Sequence, residues 1–224
     1  PELRYRTVQY ATMIKGTAPD AVVIGPMNYG WAGYTSLQSA TDAGGRDFHT
    51  YYLQQLSSAS QQAGKRLVDA LSVHYYPEAR GTYANGTRSR IVFDATAMTS
   101  TDPGMIAARV NAPRSLYDPT YVEDSWITND VLRWSEPPPG NSIKLLPRIQ
   151  SKIDAHYPGT KIAVTEYFFG GGNHISGATA QADALGAFAR SGVYAANLWS
   201  LQSDLTYIAA AFRMYLDYDG RGSD

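Results

Sequence analysis

Apolar positions along the chain alternate between two periods. Leu3, Val8, Ala11 and Ile14 recur at roughly helical spacing, and Pro19 closes that stretch. Residues 21–26 (AVVIGP) form a short continuous apolar run, the pattern of a strand buried on both faces. After Asp47, suited to cap a helix, Phe48, Tyr52, Leu56, Ala59 and Ala63 fall on one helical face. Residues 67–76 (LVDALSVHYY) read as a second strand. The Pro- and Gly-containing segment 77–140 is denied long regular elements. Ile143, Leu146, Ile149 and Ile153 then predict a helix whose regular part starts near Pro147. Residues 161–169 (KIAVTEYFF) predict a third strand. A glycine-rich turn leads to a helix with Ala182, Leu185, Phe188 and Ala189 inward. Residues 193–201 (VYAANLWSL) predict a fourth strand, and Leu205, Ile208, Ala209 and Phe212 a last helix. A helix followed by four strand–helix units predicts an α/β fold with a parallel sheet. That order is compatible with a doubly wound sheet or with part of an eight-stranded barrel.

Composition narrows the chemistry. The 224 residues suffice for one sizeable core. With 19 basic and 20 acidic residues the net charge is -1, which offers no basic stripe for nucleic acid. No apolar run is long enough for a membrane span, and the start lacks a basic-then-apolar leader. The absence of Cys excludes disulfides, thiol nucleophiles and Cys-held metals. The four His lie far apart without His-x-x-x-His spacing, so no metal site is expected. The turn GGGNHISG follows a strand and precedes a helix, but it lacks the Gly-Lys-Ser/Thr ending of a phosphate cradle. An excess of 17 Tyr over 6 Phe, with 4 Trp, suits either sugar stacking or half-buried strands and loops.

In parallel α/β folds reactive groups gather at the carboxyl ends of strands. Those ends supply Asn28 and Trp31, then His74 and Tyr76, then Glu166 and Tyr167, then Trp199. Glu166 stands inside an apolar strand, where a carboxylate is costly unless paired or used. The bland alternative is a Glu held by a neighbouring Arg or Tyr. His74 and Tyr76 lie two apart, on one strand face, and can converge on Glu166; otherwise His74 is a satisfied core histidine. Trp199 offers a stacking face or, alternatively, caps the core.

The block VTEYFFGGGNHISGATAQADALGAFARSGVYAANLW resembles the signature region of glycoside hydrolase family 44, endo-β-1,4-glucanases and xyloglucanases. VIGPMNYGW, GRDFHTYYLQQ, DALSVHYYPEA, YDPTYVEDSWI and LLPRIQSKIDAHYPGTKIAVTEY support it in the family's order, so the resemblance spans almost the whole chain. It implies a (β/α)8 TIM barrel with a small β-sandwich domain and hydrolysis with retention. The family's nucleophile, the Glu ending the seventh strand, falls on Glu166. The resemblance further implies that His74 and Tyr76 orient Glu166, and that Asn28, Trp31, Tyr167 and Trp199 bind substrate. The acid/base Glu of the family lies in an Asn-Glu-Pro motif that this sequence lacks. Glu136, preceded by Ser135 in a Pro-rich loop, is not given that role.

Residues 1–224 are therefore expected to form the C-terminal half of a barrel, its strands five to eight, with the N-terminal half of the same barrel as partner. A β-1,4-linked polysaccharide (cellulose-type, xyloglucan or xylan) is the expected substrate, and a secreted location is implied. The isolated half is expected to be close to inactive. The implied reaction requires no cofactor. A structural calcium stays open, since loop Asp residues are present but no Asp-x-Asp-x-Asp-Gly loop occurs. The rival expectation is a non-catalytic glucan-binding half-barrel or degenerate relative.

Overall fold

The computed structural model describes all residues except Gly44, 135–140, 217–218, 220 and 222–224. Glu136 lies outside the described residues. In chain order the elements are α1 (Glu2–Thr17), β1 (Ile24–Asn28), α2 (Trp31–Thr35), α3 (Phe48–Ala63), β2 (Ala70–Tyr75), β3 (Arg80–Thr82), β4 (Arg88–Arg90), α4 (Ala95–Thr99), α5 (Pro103–Asn111), α6 (Trp126–Trp134), α7 (Leu145–His156), β5 (Lys161–Tyr167), α8 (Ile175–Arg190), β6 (Ala195–Leu198) and α9 (Thr206–Leu216). They fall into two compact units. The first comprises residues 1–75, 147–166 and 192–197; the second comprises 76–146, 167–191 and 198–224. The chain passes from the first to the second where β2, β5 and β6 end.

The first unit is built on a four-stranded sheet of order β1-β2-β5-β6, with β1 and β2 parallel and Ile24 opposite Ala70. Both of these strands start later than their apolar runs. The Leu67 amide is taken by Ser60 Oγ at 3.1 Å, and Asp69 uses its carboxylate on Val23 N and Lys15 Nζ, each at 2.8 Å. Asp47 caps α3 by accepting from Thr50 N at 2.8 Å. Its second oxygen accepts from Lys152 Nζ of α7 at 2.5 Å. Leu53, Leu56, Leu71, Val73 and Val164 are fully buried and form much of this unit's core.

The pattern misplaces the inward face of α1. Ala11 and Lys15 are buried, while Leu3 and Ile14 are exposed, because the Lys15 stem is drawn in by Asp69 and the Ala21 carbonyl.

Up to α6 the second unit is made of short elements, as the segment 77–140 predicts: the antiparallel hairpin β3–β4, then helices of nine residues or fewer. Arg109 of α5 is fully buried at its centre. It donates to Ser176 Oγ at 2.7 Å and to the carbonyls of Ala97, Met98 and Ser100 at 3.0, 3.1 and 3.2 Å. The glycine-rich turn wraps this guanidinium. At Gly171 (φ +73°) a Cβ would stand 2.5 Å from Arg109 Cδ. At Gly177 it would run into the Gly171 carbonyl. The glycines thus serve close packing around a cation. Behind them α8 buries Ala180, Gln181, Ala184, Ala187 and Phe188. Of the four positions expected inward Phe188 is buried, whereas Ala182 and Leu185 are half-buried and Ala189 is exposed, the face being turned toward Gln181, whose Nε2 donates to Tyr167 OH at 2.7 Å.

Candidate active site

The Glu166 side chain, in the last turn of the pleat of β5, is 29% exposed. His74, on the adjacent strand β2, is 12% exposed and brings Nδ1 to 3.1 Å from Glu166 Oε2. Nearer the start of the same two strands, Ser72 Oγ and Thr165 Oγ1 meet at 2.5 Å and lock their side-by-side alignment. A carboxylate oxygen only accepts, so the His74–Glu166 contact requires the proton on Nδ1. Burial pushes the His74 pKa below its ordinary 6.5, against the opposing pull of Glu166. The ring is therefore neutral at neutral pH. The pair is a part-open carboxyl group oriented by an uncharged donor, and it keeps a route to solvent. That is the form in which a carboxylate can attack an electrophilic carbon or take up a proton.

The other expected site residues divide. Trp199 is 58% exposed just past the end of β6, and its amide donates to the Tyr167 carbonyl at 3.1 Å. Its indole face is open to a flat ligand. Tyr76 is half-buried as the first residue of the second unit, with its ring 5.3 Å from that of Phe93.

Three of the expected residues are buried. Asn28, expected to touch substrate, is buried. Its Nδ2 donates to the Gly33 carbonyl at 3.2 Å and faces His49 Nε2 at 3.3 Å, fixing the turn from β1 into α2. Trp31 is only 4% exposed, because it opens α2 with its ring edge-on to Tyr34 and beneath the Arg148 guanidinium. Tyr167 is fully buried, its hydroxyl accepting from Gln181 and its ring against Phe188. All three are packing residues at strand ends.

The pattern also passes over two residues. His49 is fully buried on α3, stacked on Tyr34 at 5.2 Å; burial, helped by Lys152, holds its pKa down at about 3. Phe93, in an ordinary apolar string (RIVFD), emerges 48% exposed. No sequence signal separates it from its buried neighbours Ile91 and Val92.

Among the described residues no group of three or more His, Asp or Glu side chains gathers to hold a metal ion. No described helix is long and apolar enough to cross a membrane.

Comparison with known proteins places the chain beside one family. The profile of Glycoside hydrolase family 44 matches residues 1–79. The chain is 43% identical over 227 residues to "Endoglucanase A" of Paenibacillus lautus, a match that covers 99% of this chain and 30% of that protein. It superposes on the crystal structure of Cel44A, a family 44 endoglucanase from Clostridium thermocellum, with a TM-score of 0.86 and 42% identity, covering 100% of this chain and 42% of that one. A Paenibacillus polymyxa xyloglucanase of the family, solved with xyloglucan, gives a TM-score of 0.84 at 39% identity, over 99% of this chain and 41% of its own. The chain thus spans less than half the length of these relatives.

Proposed function

The chain belongs to glycoside hydrolase family 44, and on that premise we propose that it is the nucleophile-bearing part of a retaining, endo-acting β-1,4-glucan hydrolase. Glu166 attacks the anomeric carbon and forms a glycosyl-enzyme. A carboxylic acid outside this chain gives its proton to the leaving glycosidic oxygen. The resulting carboxylate then takes a proton from water, which adds to the anomeric carbon and releases Glu166. The two carboxyls of such a pair stand about 5–5.5 Å apart. His74 holds Glu166 Oε2 through its Nδ1 proton, and Trp199 stacks on a glucosyl ring. No cofactor enters these steps.

The same reading makes β1, β2, β5 and β6 strands five to eight of a (β/α)8 barrel whose other half precedes them. The enzyme is secreted, and its substrate is cellulose-type glucan or xyloglucan. The observation that carries the reading is the 3.1 Å contact between His74 Nδ1 and Glu166 Oε2 on neighbouring strands. The test is Glu166→Gln in the complete enzyme. Turnover of carboxymethylcellulose should fall by about 10³-fold or more, the scale of losing a covalent nucleophile. Undiminished turnover would exclude Glu166 from the chemistry. Supplied alone, the 224-residue chain should hydrolyse no measurable glucan, since general acid–base help of about 10²–10⁴-fold is missing.

A further inference from the structure

Phe93 has φ +70°, a left-handed conformation that a bulky aromatic residue adopts only at a cost. Burial does not compensate for that cost, because nearly half of the side chain is open, at 48% exposure. The surroundings impose the conformation. On one side Ile91 and Val92 are fully buried. On the other, Asp94 caps α4, accepting from Ala97 N at 3.0 Å and from Ser89 Oγ at 2.8 Å. Pinned between these anchors, the ring is turned outward. It is then steadied laterally: the Tyr76 ring lies 5.3 Å away at 55°, and the Arg90 guanidinium 5.4 Å from the ring centroid. Arg90 is itself held by both oxygens of Glu78, at 3.1 and 2.9 Å. The result, all within the second unit, is a rigid exposed aromatic ring with an oriented Arg–Glu pair at its rim.

We propose that Phe93 is a stacking face for a pyranose ring of a β-1,4-linked glucan, with Arg90 donating hydrogen bonds to, and Glu78 accepting them from, the hydroxyls at the edge of that ring. The proposal rests on the glucan-hydrolase reading and adds a subsite to it. A β-linked glucosyl unit carries its hydroxyls equatorially, so both of its faces present C–H groups. Such a face matches an aromatic ring, and the hydroxyl rim matches a charged pair that both donates and accepts. An aromatic pinned in advance loses little side-chain freedom on binding, which accounts for a strained residue left unburied.

Titration of the 224-residue chain with cellohexaose, by calorimetry, tests this. Phe93→Gly removes the ring and at the same time relieves the backbone, so it should fold with an equal or higher melting temperature while binding about 3–10-fold more weakly. Phe93→Tyr keeps the face and should bind within about twofold of the parent. Equal binding by Phe93→Gly overturns the proposal. So does a loss in Phe93→Tyr as large as in Phe93→Gly, and so does a parent chain that binds no cellohexaose. Because the readout is binding, undiminished hydrolysis in Glu166→Gln would remove the nucleophile assignment and leave this measurement standing.

Discussion

Glu166 in the first unit and Arg109 in the second are both charged side chains set among apolar residues, and the chain treats them in opposite ways. Arg109 has no exposed surface; three backbone carbonyls and Ser176 Oγ take its protons, and glycine backbone closes over it. Glu166 keeps 29% of its side chain open and is oriented by a neutral histidine. A buried cation dispersed over fixed carbonyl dipoles from α4 and the residue after it, and over Ser176 of α8, ties those segments together. A carboxyl group oriented by an uncharged donor and still reached by solvent stays accessible to an incoming group. The difference separates scaffold from chemistry better than burial or charge alone.

Breaking the scaffold side should have the largest effect on stability. Arg109→Met removes the buried hydrogen bonds to Ser176 and to the Ala97, Met98 and Ser100 carbonyls, of which Ala97 and Met98 keep a backbone donor, at a cost of about 3–5 kcal/mol. Hydrogen exchange should show the loss in α4, α5 and α8. Unchanged protection there would mean that Arg109 is not what organises the second unit.

Next in size is an acid effect on the first unit. Asn28 Nδ2 already donates to the Gly33 carbonyl, so its amide is fixed in orientation and His49 Nε2 must accept from it. Protonation would set two donors face to face, with Lys152 adding repulsion and Asp47 only partly offsetting it. The folded value of about 3 lies below the ordinary 6.5, so the unfolded chain binds more protons between them. His49 therefore contributes fully above about pH 6.5, and a few kcal/mol is lost as the pH falls toward 3. His49→Gln, which still offers an acceptor, should flatten the dependence of melting temperature on pH in that window; an unaltered slope would place the acid sensitivity elsewhere.

Smallest in stability, and most telling for the chemical side, is His74→Phe. Removing a hydrogen bond to a charged group corresponds to about 1.5–3 kcal/mol, or roughly 10–100-fold in kcat of the complete enzyme. The melting temperature should hardly move, because His74 is partly open and makes no contact like those of Arg109. A large fall in stability with unchanged kcat would turn the pair into scaffold and erase the contrast.

Much of the architecture is legible in the chain because it depends on neighbours in sequence. The periods of β2, β5 and α3 and the Asp47 cap follow from local geometry. So does the placing of Glu166 near the end of an apolar strand. What lies beyond reach is which side of an element meets another. Lys15 rotates α1 by pairing with Asp69, and Gln181 rotates α8 by pairing with Tyr167. Neither partner is visible in a periodic count. The same holds for the site: Asn28, Trp31, Tyr167 and Trp199 look alike as polar or aromatic residues at strand ends, yet only Trp199 is exposed.

The sequence by itself determined the order of strands and helices, the family, and the candidate carboxylate, since each is carried by contiguous residues. Only the tertiary structure decided that His74 stands against Glu166, that three candidates are sealed inside, and that Phe93 is turned out. Pairing and exposure arise from elements far apart in the chain, whose packing is chosen by the whole set of buried contacts at once.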